Sequence, residues 1–174
     1  MVSAQESTGI GVELAMALPS SAARRGAAAS RGPGFKSGDV ITFGLNGNAR
    51  YLSPVGLDFE SAPDFSWTTE RFCGIDIPLE APGRDLTLSL LVMPWVLGTR
   101  VPAQEAAVYV NGLLVTYIHV FNEFDAAFSV EADALQSGLA KLRLIIPTAV
   151  RPRSLGAGAD ERLLGFQLKR LTLS

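Results

Sequence analysis

The stretch "PRSLGAGADERLLG", Pro152 to Gly165, is where this sequence looks most like chemistry. Gly156 and Gly158 can take backbone angles closed to other residues. Asp160 and Arg162 stand two apart, close enough to bracket a turn. A carboxylate accepts loop amides, and a guanidinium reaches both that carboxylate and nearby carbonyls. Two uses fit such a loop: a polar lip of a binding cleft, or a pinned corner before the last strand. The cost of ordering a glycine-rich segment favours the second. The expectation is a structural clamp, with Asp160 and Arg162 turned onto the Gly156–Gly158 segment and the start of the final strand.

The other reactive residue types are scarce. The chain has one histidine, His119, and one cysteine, Cys73. A Ser-His-Asp or Cys-His pair would have to use His119 itself. His119 sits on a strand with Tyr117, where a lone histidine reads as a packed or hydrogen-bonded residue. Cys73 falls on the apolar side of its strand and reads as a small core residue. One of each cannot build an ordinary zinc site, so no metal and no cofactor is expected. One thiol forms no internal disulfide. Glu60, Asp64, Glu70, Asp125 and Asp160 are candidate acid/base carboxylates, but glycoside hydrolysis needs two at a set separation, which spacing in a β-fold does not determine. "GAGADER" lacks the Lys-Ser/Thr of a phosphate-binding loop. The expectation is therefore a chain without catalytic residues.

Large rings offer a different chemistry. Trp67 in "DFSWTTER" and Trp95 in "MPWVLG" lie at strand edges. Exposed rings of this kind stack on the C–H faces of sugars, while buried ones fill a core. Trp67, Trp95, Tyr117 and Arg100 are the candidate glycan contacts.

What must position these residues is a β-rich domain. Of 174 residues, 48% are hydrophobic and only 18% charged, with 15 basic and 17 acidic side chains. That supports one sizeable core and gives no basic excess for a nucleic acid. No apolar run reaches the roughly 18 residues of a membrane span. The start lacks the basic region of a secretory signal, so a cytoplasmic location is expected. Residues 1–38 read as a partly irregular N-terminal extension: 11–18 suit a short helix or an edge strand, and 20–37, rich in Ala, Ser, Gly and Arg, suit a linker.

From Asp39 to Ser174 the hydrophobic period becomes two. Ile41, Phe43 and Leu45 share a face, as do Cys73, Ile75, Ile77 and Leu79, then Leu86, Leu88, Leu90 and Val92, then Leu142, Leu144 and Ile146. Asn111-Gly112 between two β-branched runs predicts a two-residue hairpin that pairs Val110 with Leu113 and Val108 with Val115, all four on one face. In the last strand Leu164, Phe166 and Leu168 lie on one parity, but Leu171 and Leu173 on the other. A strand changes its buried face only at an inserted residue, so the expectation is a bulge at Lys169-Arg170 or a strand that ends one sheet and begins contacting another. At most short helices are expected, such as "EADALQSG". The sum is an all-β, jelly-roll-like β-sandwich of about eight or nine antiparallel strands over 39–174, with long connections at 51–71 and 94–104.

Several segments carry a family resemblance. They are "FSWT" at Phe65–Thr68 followed by "IDIPL", "VYVNG" at Val108–Gly112, and "LGAGADERLLGFQLKRLTL" at Leu155–Leu173. Together they resemble an accessory domain attached to bacterial glycosyltransferases and polysaccharide-assembly proteins. Leu155, Gly156, Asp160, Arg162, Leu164 and Gly165 match its closing pattern, and Phe166 departs from the usual aliphatic residue. The resemblance covers about 39–174. It implies a jelly-roll similar to carbohydrate-binding modules, with no catalytic residues of its own. The implied function is glycan or polysaccharide binding during bacterial polysaccharide or glycoconjugate assembly. The alternative is a scaffold that docks a glycosyltransferase and touches no sugar.

Overall fold

Strands whose side chains alternate apolar and polar must bury one face, and here two such sheets bury theirs against each other. In the computed structural model, residues 34–80 and 83–174 are described. The readings made for 11–18 and for most of 20–37 lie outside them. The larger sheet contains β1 (Val40–Thr42), β2 (Leu57–Asp58), β3 (Ser66–Thr68), β5 (Leu86–Pro94), β8 (Phe124–Val130) and β10 (Phe166–Leu173). Its order is β2-β3-β10-β5-β8, with β1 also on β10. The smaller sheet runs β4-β9-β6-β7, from β4 (Phe72–Pro78), β9 (Leu139–Ile145), β6 (Gln104–Val110) and β7 (Leu113–Val120). The named strands pair antiparallel. The result is an all-β sandwich with a jelly-roll-like arrangement and ten strands among the described residues, rather than eight or nine. The connection expected at 51–71 contains two of them, β2 and β3, each too short to show a period.

The inward residues of both sheets form one core. Leu88, Leu90 and Val92 of β5 meet Ile75 and Ile77 of β4 and Leu142 and Leu144 of β9 in a single cluster. Leu45 does not join it and is 42% exposed. The strand that was to carry Leu45 inward ends at Thr42, and Gly44 turns the chain with φ 91°. "EADALQSG" yields only a 3-10 turn at Ala132–Leu135, with Leu135 buried.

β10 holds the larger sheet together, because β1 and β3 share one of its edges and β5 takes the other. Its register against β5 shifts between Leu168 and Arg170. Lys169 is therefore the inserted residue, and Phe166, Leu168, Leu171 and Leu173 are all buried. The predicted bulge is present where the parity changes.

A second bulge was not foreseen. Asn111 and Gly112 turn with φ 50° and 84°, and Val110 faces Leu113 as expected. The register then shifts: Tyr109 pairs Leu114, but Val108 pairs Thr116, not Val115. Val115 is the extra residue. Leu113, though paired with Val110, is exposed at the rim of that face, while Val108 and Val110 are buried.

Asn111 does more than tolerate a positive φ. Its Nδ2 donates to the carbonyls of Ala134 and Leu139 at 2.6 and 2.8 Å, and its Oδ1 accepts the Lys141 amide at 2.9 Å. The turn is thus stitched to the segment leading into β9. Asn111→Gly keeps the turn geometry and loses all three bonds. We expect a loss of about 3 kcal/mol in urea denaturation, at about 1 kcal/mol net per hydrogen bond. Asn111→Pro, which excludes positive φ, should lose more. Wild-type stability of Asn111→Gly would show that the stitch contributes nothing.

Candidate functional site

The Val115 bulge decides which way Tyr117 points. In unbroken register from the turn, Leu113, Val115, Tyr117 and His119 would share Val110's inward face. The inserted residue reverses this beyond Val115. Ile118 and Val120 are buried, while Tyr117 and His119 point outward. Tyr117 then pairs with Ala107, Ala107 with Ile145, and Ile145 with Phe72. Directly paired residues of adjacent strands lie on the same side of a sheet. The outer face of the smaller sheet therefore carries an apolar and aromatic row across all four strands: Phe72, Ile145, Ala107 and Tyr117. Phe72 is 48%, Ile145 41% and Tyr117 72% exposed.

The neighbouring row is Gly74, Arg143, Tyr109 and Leu114. Arg143 lies across the sheet. Its Nη1 donates to the carbonyls of Ile75 and Leu142 at 2.8 and 2.9 Å, and its Nη2 pairs with Asp76 at 2.5 Å. Gly74 makes room for it: a Cβ there would sit 2.0 Å from the Leu142 oxygen and 2.9 Å from Arg143 Cδ. At the far end of the face, His119 Nδ1 is 3.1 Å from Glu105 Oε1. The face is thus an exposed apolar row with charged groups at both ends.

The four candidate glycan contacts do not converge. Trp67 lies on β3 of the other sheet, half-buried, in a row with Asp58, Gln167 and Met93. Its ring meets Phe65 edge-on, with centroids 5.9 Å apart. Trp95 follows β5, half-buried. Its amide donates to the Gly165 carbonyl and its carbonyl accepts Gln104 Nε2, both at 2.8 Å. Arg100 spends a donor on the Leu155 carbonyl at 2.8 Å. Tyr117 alone of the four stands on the smaller sheet. Phe72, Ile145, Tyr109 and Arg143 were not singled out from sequence. The signal was there, since Ile145 shares parity with Lys141 and Arg143, and Tyr109 is opposite to Val108 and Val110.

Asp160 and Arg162 do pair, through Nε–Oδ1 at 3.0 Å and Nη2–Oδ2 at 2.6 Å, and Asp160 Oδ1 also accepts the Arg162 amide. The guanidinium does not turn onto the glycines. Its Nη1 reaches Asp58 at the end of β2 and Ser61 Oγ, the latter at 2.9 Å. The glycine segment is tied instead by backbone: the Asp160 carbonyl accepts the Arg153 amide at 2.9 Å, and Gly156 and Gly158 take φ 64° and 126°. The clamp thus joins the loop to β2, about a hundred residues away in sequence.

The Arg162 side-chain bond holds the Asp160 carboxyl below the usual range, against a smaller opposing effect of burial. At Asp58 burial pushes upward, but the Ser61 hydroxyl, the Glu60 amide and Arg162 together outweigh it, and the net shift is also down. Arg162 is raised in turn, mainly by its bond to Asp160.

Cys73 is sealed in the core, where burial pushes its thiol up to about 12. Of the candidate carboxylates, Glu60 pairs with Arg50 at 3.2 Å, Asp125 accepts Ser89 and lies 3.7 Å from Arg170, and Asp64 and Glu70 are exposed. Among the described residues no cluster of His, Cys, Asp and Glu is arranged to hold a metal, and no helix is long and apolar enough to cross a membrane.

No family model matches the chain, and no curated protein matches it. Among solved structures it is similar to a carbohydrate-binding module, CBM36, in complex with calcium and xylotriose. The identity is 10% and the TM-score 0.46, over 78% of this chain and 99% of that one. It is also similar to part of a ruminal GH26 endo-beta-1,4-mannanase, at 11% and 0.45, over 82% of this chain and 27% of that one. A cyclase from Fischerella sp. TAU aligns at 12% and 0.32, over 78% and 73%. With every TM-score below one half, these likenesses assign the chain no function.

The clamp makes a prediction about acid. Both carboxyls have folded pKa values below their unfolded ones. Their stabilisation is full above the unfolded pKa of about 4 and is lost as pH falls through the lower folded values. Arg162→Ala should cost about 2 kcal/mol near pH 7, between the values for exposed and buried pairs. The difference from wild type should shrink as pH falls below 4. Because the residues share one network, Asp160→Ala with Arg162→Ala should cost less than the sum of the two. Denaturation curves at pH 7 and pH 3 check this. A difference that does not change with pH would contradict the assigned charge network.

Proposed function

We propose that this chain is a non-catalytic binding module whose smaller sheet takes a glycan on its outer face, the sugar chain lying across the strands. The observation that carries this reading is the row Phe72, Ile145, Ala107 and Tyr117, with an exposed tyrosine at one end and an exposed phenylalanine at the other. Three inter-strand steps separate the two rings, roughly 14 Å, which suits several sugar rings rather than one. Their faces offer C–H stacking, and Tyr117 adds a phenolic hydroxyl. Arg143, Asp76, Glu105 and His119 stand at the margins, where sugar hydroxyls need partners. Support for a non-catalytic role comes from Cys73, sealed in the core, and from His119, whose side chain bonds only Glu105 among the described residues. The sequence resemblance supports a role for such a module in bacterial polysaccharide or glycoconjugate assembly.

A second reading is a docking surface for a protein, with a glycosyltransferase as the partner the sequence resemblance implies. The exposed Leu114, paired with Tyr109, favours it, since it carries the apolar surface to β7, the edge strand of the smaller sheet among the described residues.

Affinity gel electrophoresis over a set of polysaccharides separates the two. At least one polysaccharide should retard the protein. Tyr117→Ala should weaken that retardation about tenfold, the upper range for one aromatic contact. Trp67→Ala, on the opposite sheet, should leave it unchanged. If no polysaccharide retards the chain, the docking reading replaces this one. If Trp67→Ala alone abolishes retardation, the site is on the larger sheet.

A further inference from the structure

Beyond Tyr109 the outer face of the smaller sheet runs into a basin of about 460 Å³, lined by Asn111, Gly112, Ser137, Leu139, Lys141 and Arg143. Its two cations are not alike. The charge of Arg143 is taken up by Asp76, and one of its nitrogens by two carbonyls. Lys141 is exposed and pairs with no carboxylate among the described residues. Its backbone is fixed all the same: its amide donates to Asn111 Oδ1 at 2.9 Å and its carbonyl accepts the Asn111 amide at 3.1 Å. The ammonium thus projects from an anchored position. Asp76 faces Lys141 across the strands, but its Oδ1 is held by Arg143. Asp76, Arg143 and Lys141 together leave one positive charge, and among the described residues no acidic side chain lines the basin.

The rest of the face differs. Glu105, the exposed carboxylate of β6, lies four residues from Tyr109, roughly 13 Å along the strand, and His119 is beside it. The row of Phe72, Ile145, Ala107 and Tyr117 carries no charge. The face is therefore polar along its length, with a cationic end at the hairpin and uncharged rings beyond it.

Resting on the glycan reading of this face, we propose that the ligand is an acidic polysaccharide. Its anionic substituent, a uronate carboxylate or a sulfate ester, sits in the basin against Lys141, and neighbouring rings of the same chain lie on Tyr109 and Tyr117. The net charge of −2 opposes general attraction to polyanions, so a preference for them must come from a local site.

The test is retardation in gels containing polygalacturonate, alginate or dextran sulfate, against carboxyl-reduced polygalacturonate, carboxyl-reduced alginate and plain dextran. At least one acidic polymer should retard the protein about tenfold more than its neutral counterpart. The polygalacturonate and alginate gels against the dextran sulfate gel tell carboxylate from sulfate. Lys141→Ala should reduce retardation to the neutral level, Lys141→Arg should keep it, and Tyr117→Ala should reduce retardation by both kinds of polymer. Equal retardation by acidic and neutral polymers, or an unaffected Lys141→Ala, overturns the acidic ligand and leaves a neutral glycan on the same face. Retardation by acidic polymers that survives both Lys141→Ala and Tyr117→Ala is general charge attraction and overturns it too. If nothing retards the chain, the glycan reading falls and this inference with it.

Discussion

A β-strand sends alternate side chains to opposite faces, so its buried face changes only where a residue is inserted. The described strands use the device twice. Lys169 in β10 lets Phe166 and Leu168 and then Leu171 and Leu173 all reach the core. β10 pairs with three other strands, so the larger sheet depends on that insertion. Val115 in β7 performs the opposite service. It brings Ile118 and Val120 inward and thereby turns Tyr117 and His119 outward. Without it a tyrosine and a histidine would face the core, and the outer face of the smaller sheet would lose its most exposed ring.

Two polar fixtures hold the ends of this arrangement. At the hairpin, the Asn111 side chain satisfies two carbonyls and one amide of the segment entering β9, next to the row of Arg143 and Tyr109. At the other, Arg162 gathers Asp160, Asp58 and Ser61 and ties the glycine-rich loop to the short strand β2. Both spend hydrogen bonds on connections whose backbone alone would order poorly. The loop that looks most like a catalytic motif in sequence is thus occupied in joining parts of the larger sheet. The proposed ligand surface lies on the smaller one.

The long strands were legible because their period is clean. β4, β5 and β9 bury the residues that alternation assigns, and the parity change in β10 announced its bulge. β2 and β3, of two and three residues, are too short to carry a period. The Val115 bulge was hidden because the residues around it, Leu113 to Val120, suit either face. Asp160 and Arg162 are neighbours in sequence, so their pairing could be read. Asp58 could not, since nothing local links it to Arg162. The platform was half visible. Tyr117 stood out as an aromatic residue, whereas Phe72 and Ile145 come from strands far apart in sequence, and only the order β4-β9-β6-β7 sets them in one row.

The proposed ligand face is one of the two outer faces of the sandwich, and the two tryptophans fall outside it. Amide chemical shifts, followed while a retarding oligosaccharide is titrated into isotope-labelled protein, distinguish the faces directly. The account predicts shifts concentrated at Phe72, Ala107, Tyr109, Arg143, Ile145 and Tyr117, with Trp67, Gln167 and Met93 unmoved. Shifts concentrated at Trp67, Gln167 and Met93, with the Tyr117 row unmoved, would contradict it.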